Sequence, residues 1–149
     1  VIRGGEIVGN TSEGMFLGGG AIYVGAGNVA LDEATLISNH AEGMFSNGGG
    51  IFIFTGEVTM KDSVIEDNTA AGAGGGVYIG QGSLTLLDST FEENEATLGG
   101  GAYIGGDVKM GDSLFLKNRS TDLGGGLFLN SGGGWASLEL SESLEYQHR

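Results

Sequence analysis

The sequence predicts an all-β fold, a right-handed parallel β-helix solenoid with three short strands per coil and about five coils of roughly 25–30 residues. Three recurring features support this prediction: a glycine triplet followed by apolar residues, a short alternating run, and an apolar residue three positions before an asparagine. Successive triplets lie 30, 26, 25 and 25 residues apart. An internal period of this length is typical of solenoids, in which each repeat forms one coil.

The first predicted strand of each coil follows a glycine triplet. The triplets begin at Gly18, Gly48, Gly74, Gly99 and Gly124. The alternating residues after them predict stacked parallel strands at about 21–24, 51–54, 77–79, 102–104 and 127–129. Glycine permits a tight corner before each strand and a close approach of neighbouring coils.

Two further runs complete each predicted coil. The second run alternates apolar and polar residues at 28–31, 57–60, 83–86, 107–110 and 137–140. The third run ends in asparagine and contributes Leu36, Ile65, Phe91 and Phe115. Alternation turns one face of every run inward. A single coil buries too little apolar surface to offset its conformational entropy, so the coils must stack.

The asparagines that end the third run predict an internal ladder. They are Asn10, Asn39, Asn68, Asn94 and Asn118. We expect each side-chain amide to bond to its neighbour and to corner backbone. Two of them match the glycosylation sequon, but an inward-facing ladder amide is not available to carry a glycan.

A column of aspartates follows the second run. Its members are Asp62, Asp88 and Asp112, with Asp32 in the corresponding place of the first repeat. One interpretation is a corner role, in which an aspartate accepts a hydrogen bond from a following backbone amide. The other is a weak calcium site between carboxylates stacked about 5 Å apart. No other cofactor is predicted.

Five large side chains fall between the inward positions of the first strand, so alternation turns them outward. They are Ile22, Phe52, Tyr78, Tyr103 and Phe128. Beside them lie two copies of the sequence EGMF, which place Met15, Phe16, Met44 and Phe45 in the two longest corners. Either these loops cover the outer ladder, or loops and ladder together form a protein-binding surface. We take these nine residues as the candidate binding site.

Composition excludes several classes of partner. The chain has 149 residues, 32 glycines, no cysteine and a formal charge of −13. Such a charge disfavours nucleic acid and anionic membrane surfaces and leaves cations and basic protein surfaces as partners. Without cysteine there is no disulfide scaffold, and no apolar run approaches the roughly 20 residues of a membrane span.

The sequence also argues against an enzyme. Pectin-degrading enzymes with this fold need a basic residue that abstracts a proton, or paired carboxylates with histidine. The six lysines and arginines lie in different columns. His40 falls in a turn and His148 in the tail, and no paired carboxylates converge on either.

The chain begins inside a repeat, so we expect residues 1–149 to be a single β-helix segment of a larger protein. Regular coils are expected over residues 4–131 and a degenerate terminal coil or cap over 132–149. In that last stretch Glu145 replaces the apolar residue of the third run, and His148 replaces the ladder asparagine. A glutamate pointing into a core is costly.

The GGAI sequence at 19–22 and the FxxN sequences at 91–94 and 115–118 resemble the repeats of chlamydial polymorphic outer-membrane proteins. This resemblance implies a pectin-lyase-like β-helix in a surface-exposed, adhesive segment. We therefore expect a non-catalytic extracellular or cell-surface stalk that gives a rigid scaffold and a protein-binding surface. Its partners would be other chains, packed laterally or end to end, or a surface receptor. The alternatives are a carbohydrate-binding or inactive relative of polysaccharide enzymes, and a calcium-assisted assembly scaffold.

Overall fold

The computed structural model describes residues 1–131 and 137–141, and the regular structure in these ranges is entirely β. In chain order the strands are β1 (Ile2–Arg3), β2 (Glu6–Val8), β3 (Thr11–Ser12), β4 (Ile22–Ala26), β5 (Val29–Asp32), β6 (Thr35–Ile37), β7 (His40–Ala41), β8 (Ile51–Lys61), β9 (Val64–Glu66), β10 (Thr69–Ala70), β11 (Val77–Leu87), β12 (Thr90–Glu92), β13 (Glu95–Leu98), β14 (Ala102–Gly111), β15 (Leu114–Leu116), β16 (Arg119–Leu123), β17 (Leu127–Leu129) and β18 (Leu138–Ser141). No helix in these ranges is long and apolar enough to cross a membrane.

The strands form three parallel sheets that run along the solenoid. Sheet A has the order β1-β5-β8-β11-β14-β17, with β4 also paired to β8 and β18 to β14. Sheet B has the order β2-β6-β9-β12-β15, and sheet C the order β3-β7-β10-β13-β16. Each strand pairs with the equivalent strand of the next coil. The predicted stack of about five parallel coils is confirmed.

Each central coil has three strands, but they are not divided as the sequence pattern suggests. The first two runs join into one long strand in β8, β11 and β14. That strand bends at Gly56, Gly82 and Gly106, where φ is 149–158°, a backbone conformation that favours glycine. The third strand instead follows the ladder asparagine and belongs to sheet C. Each strand of sheet C contains two to five residues.

The first full coil is shifted by one residue relative to its predicted register. Ile22 pairs with Ile51, and Tyr23 pairs with Phe52. The reason is that Ala21 occupies the third position of the glycine corner. Gly19 then takes the left-handed position of Gly48, and their φ values are 78° and 67°. The prediction of Ile22 as an outward residue is therefore wrong, because its side chain packs against the interior core.

The core fills the space enclosed by the three sheets. Sheets A and B contribute large side chains such as Ile53, Ile79 and Phe91, which are completely buried. Sheet C contributes only a separate cluster of alanines, Ala41, Ala70 and Ala96. The interior thus narrows toward sheet C, where small side chains let the chain pass close to the stacked glycine corners.

Strand β18 pairs with β14 so that Leu138 lies opposite Val108 and Leu140 opposite Met110. This pairing is the one expected if residues 137–140 repeat the second run. The two replacements that predict a terminal cap, Glu145 and His148, lie outside the described residues.

Candidate functional site

The five asparagines form a continuous ladder along the corner between sheets B and C. From Asn10 to Asn94, each Nδ2 donates to Oδ1 of the next asparagine at 2.9–3.0 Å, ending on Asn118. The backbone N–H of each donor residue bonds to the same oxygen at 3.0–3.1 Å. Asn39, Asn68 and Asn94 are fully buried. Each of these three uses both Nδ2 hydrogens and both lone pairs of Oδ1, so the ladder is structural.

A second polar ladder lies at the corner between sheets A and B. The backbone N–H of Ala34 donates to Ser63 Oγ, that of Ser63 to Ser89 Oγ and that of Ser89 to Ser113 Oγ, over 3.0–3.2 Å. Each hydroxyl donates in turn to a carbonyl two residues earlier. Sequence reasoning alone does not identify this ladder, although recurring Asp-Ser pairs carry the signal.

The aspartates precede these serines at the same corner. Asp62, Asp88 and Asp112 have left-handed φ values of 47–48°. In the first full coil Glu33 takes this position, with a φ of 53°, because Asp32 pairs with Lys61 one residue earlier. Within residues 1–131 and 137–141, no three histidine or acidic side chains are arranged to hold a metal ion. The geometry adds no support to the calcium hypothesis.

An aromatic ladder runs along the outer face of sheet A, one ring per coil. It consists of Tyr23, Phe52, Tyr78, Tyr103 and Phe128. Successive ring centroids are 4.9–5.3 Å apart, and the ring planes lie within 2–16° of parallel. Tyr23, rather than the predicted Ile22, supplies the first ring.

The ladder is less exposed than its outward orientation suggests. Tyr23, at one end, is 50% exposed, whereas Phe52 is only 2% exposed. Phe52 lies outside the interior core cluster, and rings stack against both of its faces. Tyr78, Tyr103 and Phe128 are half-buried. The prediction of Phe52 as an exposed binding residue is therefore wrong, because its neighbours cover it.

Tyr78, in the middle of the aromatic ladder, lies in an environment that disfavours its ionisation. Burial raises the pKa of Tyr78 above its ordinary value of 10.0, and the neighbouring Tyr103 adds electrostatic repulsion. Asn130 Nδ2 donates a hydrogen bond to the Tyr103 hydroxyl. The ladder therefore presents ring edges and hydroxyl groups to solvent, while the faces of its inner rings are used for stacking.

The two EGMF corners, residues 13–16 and 42–45, are here called the Met–Phe loops. They lie on adjacent coils, and the rings of Phe16 and Phe45 stack with centroids 5.8 Å apart. Phe45 N–H donates to Met15 O at 2.9 Å. Unlike the aromatic ladder, these loops are open to solvent: Met15, Phe16, Met44 and Phe45 are 56–68% exposed.

The corner that carries the Met–Phe loops becomes shorter in the coils that follow the second loop. Six residues separate Ala41 of β7 from Gly48, but three separate Ala70 of β10 from Gly74, and two separate Ala96 of β13 from Gly99. The shorter corners leave a step beside the second loop. A groove of about 450 Å³ occupies it, lined by Met44, Phe45, Asn47, Ala71–Ala73, Thr97 and Leu98.

Two arginines are engaged with carboxylates of neighbouring coils, and His40 with a threonine hydroxyl. Arg3 lies 3.2 Å from Asp32, and Arg119 lies 3.8 Å from Glu95. His40 has its Nδ1 2.7 Å from Thr69 Oγ1. The expectation that the lysines and arginines lie in different columns is wrong for Arg3 and Lys61, which share a column of sheet A with Asp32 between them. His40 and Arg119 share a column of sheet C, where Thr69 and Glu95 separate them.

Comparison with known proteins identifies the fold and no individual relative. A family model described as "Right handed beta helix region" matches residues 2–144. No curated protein and no solved structure gives a significant match. The family match extends over all the coils described above and agrees with their parallel stacking.

Proposed function

The chain belongs to the right-handed β-helix family, and we propose that it is a non-catalytic, rigid scaffold segment of an extracellular or cell-surface protein. In this role it holds an apolar surface in place for binding to another protein chain. The fold alone does not select this function, since one fold serves many activities. The proposal therefore depends on surface features of this chain.

The exposure of the Met–Phe loops is the observation that carries the proposal. Met15, Phe16, Leu17, Met44 and Phe45 are 51–68% exposed and lie on adjacent coils. Contiguous exposed apolar side chains are uncommon on monomers and mark interaction surfaces. Methionine is a flexible side chain that adapts to its contacts, and methionine and phenylalanine are both enriched at protein interfaces.

The internal ladders support the scaffold part of the proposal. The buried asparagines and serines bond coil to coil along two corners. Stacked rings connect the coils along a third line on the outer face of sheet A. A surface loop that is attached to such a stack is already ordered, so it loses little conformational entropy on binding.

A carbohydrate-binding role receives less support from the aromatic ladder. Sugars stack on exposed aromatic faces, whereas the inner rings of this ladder stack on one another at 4.9–5.1 Å. Mainly their edges face outward. The engaged arginines likewise support a non-catalytic role, since they lie against carboxylates.

Two assays test the proposal. The purified chain is applied to a glycan array, and it is incubated with polyuronides while new reducing ends and unsaturated products are measured. We expect neither binding nor product. Saturable glycan binding or polysaccharide cleavage would replace the scaffold proposal with a polysaccharide-related function.

Immunolabelling tests the location. Antibodies against the chain should label intact source cells or their extracellular matrix. Labelling that appears only after permeabilisation would contradict an extracellular or cell-surface position.

A further inference from the structure

We propose that the groove beside the second Met–Phe loop binds a basic amphipathic segment of a partner protein, with an apolar side chain against Phe45 and lysines or arginines at its edge. This inference rests on the proposed scaffold function and specifies where the partner binds and what its chemistry is.

The groove follows from the change in corner length. Met44 and Phe45 form its wall, because their corner is longer than the next by three residues. Its floor is built from small residues of the following corner, Ala71–Ala73, and from Leu98 one coil further on. An apolar wall above a floor of small side chains leaves room for an inserted side chain.

The wall of the groove is preorganised. Phe45 is stacked on Phe16, and its backbone is bonded to Met15. The Ser46 hydroxyl donates to the carbonyl of Gly14, and Asn47 Oδ1 accepts a bond from Ala73 N–H at 2.7 Å. A partner therefore meets an apolar surface that is already ordered, which lowers the entropic cost of binding.

Acidic groups border the groove. A second trough of about 450 Å³ over sheet C shares Ala71 and Thr97 with the first and is lined by Glu42 and Glu95. Glu95 lies 3.8 Å from Arg119, so Glu42 is the carboxylate of the two that we assign to the partner. Glu42 is exposed, and Glu13 occupies the equivalent place in the first loop. The net charge of the whole chain is −13, so its electrostatic field attracts basic partners and steers their association.

The charge of the chain also indicates whether the groove binds a different protein or a second copy of the same chain. A second copy carries the same net charge of −13 and brings like charges together at the acidic border. A basic amphipathic segment satisfies both the apolar wall and the acidic border, and is the occupant we infer.

The test is a fluorescence-anisotropy titration with three synthetic amphipathic peptides that share their leucine positions. Their polar positions are all lysine, all glutamine or all glutamate. At physiological salt we expect the lysine peptide to bind, the glutamine peptide to bind about tenfold more weakly, and the glutamate peptide not to bind. Equal affinities for the lysine and glutamate peptides would overturn the proposal.

Matched variants place the binding in the groove. Phe45→Ser should weaken binding of the lysine peptide by about tenfold or more, as loss of a central aromatic anchor does. Phe54 lies outside the groove and is 59% exposed, compared with 56% for Phe45. Phe54→Ser therefore removes an equally exposed ring and should leave the affinity unchanged. Glu42→Gln should weaken binding about threefold, whereas Glu66→Gln on sheet B, with the same change in charge, should not.

Circular dichroism melting checks that each variant folds, and Met44→Ser replaces Phe45→Ser if the latter does not. Equal losses from Phe45→Ser and Phe54→Ser would show that the groove is not the site. A concentration-dependent dimer in sedimentation that Phe45→Ser abolishes would assign the groove to a second copy instead. If the groove variants bind as the wild type does while the glycan assays stay negative, the groove proposal alone fails.

Discussion

At the scale of single residues, Gly75, the middle glycine of its corner, is required by the packing of neighbouring coils. A Cβ on Gly75 would lie 2.3 Å from Gly100 O and 2.5 Å from Glu95 O. Both obstacles are backbone atoms, which cannot move aside as the end of a flexible side chain can. By contrast, a Cβ on Gly25 meets nothing within 4 Å. The glycines of this chain are thus not equivalent.

Gly75→Ala and Gly25→Ala form a matched pair. We expect Gly75→Ala to lower the free energy of unfolding by about 3 kcal/mol, because two coils must separate to admit the methyl group. Gly25→Ala should change it by less than about 0.5 kcal/mol. Urea unfolding measures both, and equal effects would mean that the corner is not packed as described.

The raised pKa of Tyr78 predicts that the folded chain loses stability at alkaline pH. Burial and Tyr103 raise its pKa in the folded chain above 10.0, so above about pH 10 the unfolded chain releases this proton first. Stability is therefore complete below the unfolded pKa and falls as pH rises toward the folded pKa. Between about pH 9 and pH 11 the unfolding free energy of Tyr78→Phe should fall less steeply than that of the wild type. Parallel slopes would show that Tyr78 does not contribute.

At the scale of elements, the stacked side-chain ladders connect strands that are each too short to be stable alone. Strands β7 and β10 contain two residues each. The asparagine ladder lies next to them and bonds every coil to the next. Sheet C is therefore held in register by side chains as well as by its own backbone pairs.

Asn68 tests this role against Asn28. Asn68→Ala leaves the Asn39 amide, its backbone N–H and a Leu36 carbonyl without their partner in a buried place, and should cost about 2–4 kcal/mol. Asn28 makes one inter-coil bond at an exposed position, so Asn28→Ala should cost less than about 1 kcal/mol. Thermal unfolding monitored by circular dichroism checks the difference, and a small effect of Asn68→Ala would argue against the ladder.

Phe52 and Phe54 test the aromatic ladder in the same strand. Phe52 is 2% exposed and has a ring stacked at 5.1 Å on each side, so Phe52→Ser should cost about 3–5 kcal/mol. Phe54 points to the same side of the strand but is 59% exposed, and Phe54→Ser should cost less than about 1 kcal/mol. Comparable losses in urea unfolding would show that the stacked rings do not stabilise the fold.

The sequence was informative wherever a side-chain type recurs at a fixed spacing. The apolar columns and the asparagine positions predict the parallel stack because every coil places the same types of side chain in the interior. Where an equivalent position changes residue type, the pattern misleads: Ala21 occupies a glycine position, and the predicted register of the first coil is shifted by one. Sheet C escapes prediction because three of its five strands have only two residues, too few to show a periodicity.

The candidate site was harder to predict than the fold. Alternation correctly turns Phe52 away from the interior, but it says nothing about the rings that cover it from neighbouring coils. The groove beside Phe45 depends on corner lengths in three successive coils. Such features arise between repeats, and a pattern read within one repeat does not contain them.

At the scale of the whole molecule, the protein is a stack of five coils that carries two exposed apolar loops. The column Val8, Ile37, Glu66, Glu92 and Leu116 runs along sheet B in register from the first coil to the fifth. Four steps of about 4.8 Å separate its ends, or about 19 Å. Rigidity over this length is what the proposed scaffold function requires.

The most direct test of that rigidity is a pulsed-EPR distance between spin labels on Val8→Cys and Leu116→Cys. The chain contains no cysteine, and both positions are exposed, so the labels attach only there. We predict a single narrow distribution centred within a few ångströms of about 19 Å, broadened only by the label linkers. A broad distribution, or one centred far beyond this distance, would contradict a stacked and rigid β-helix and with it the scaffold function.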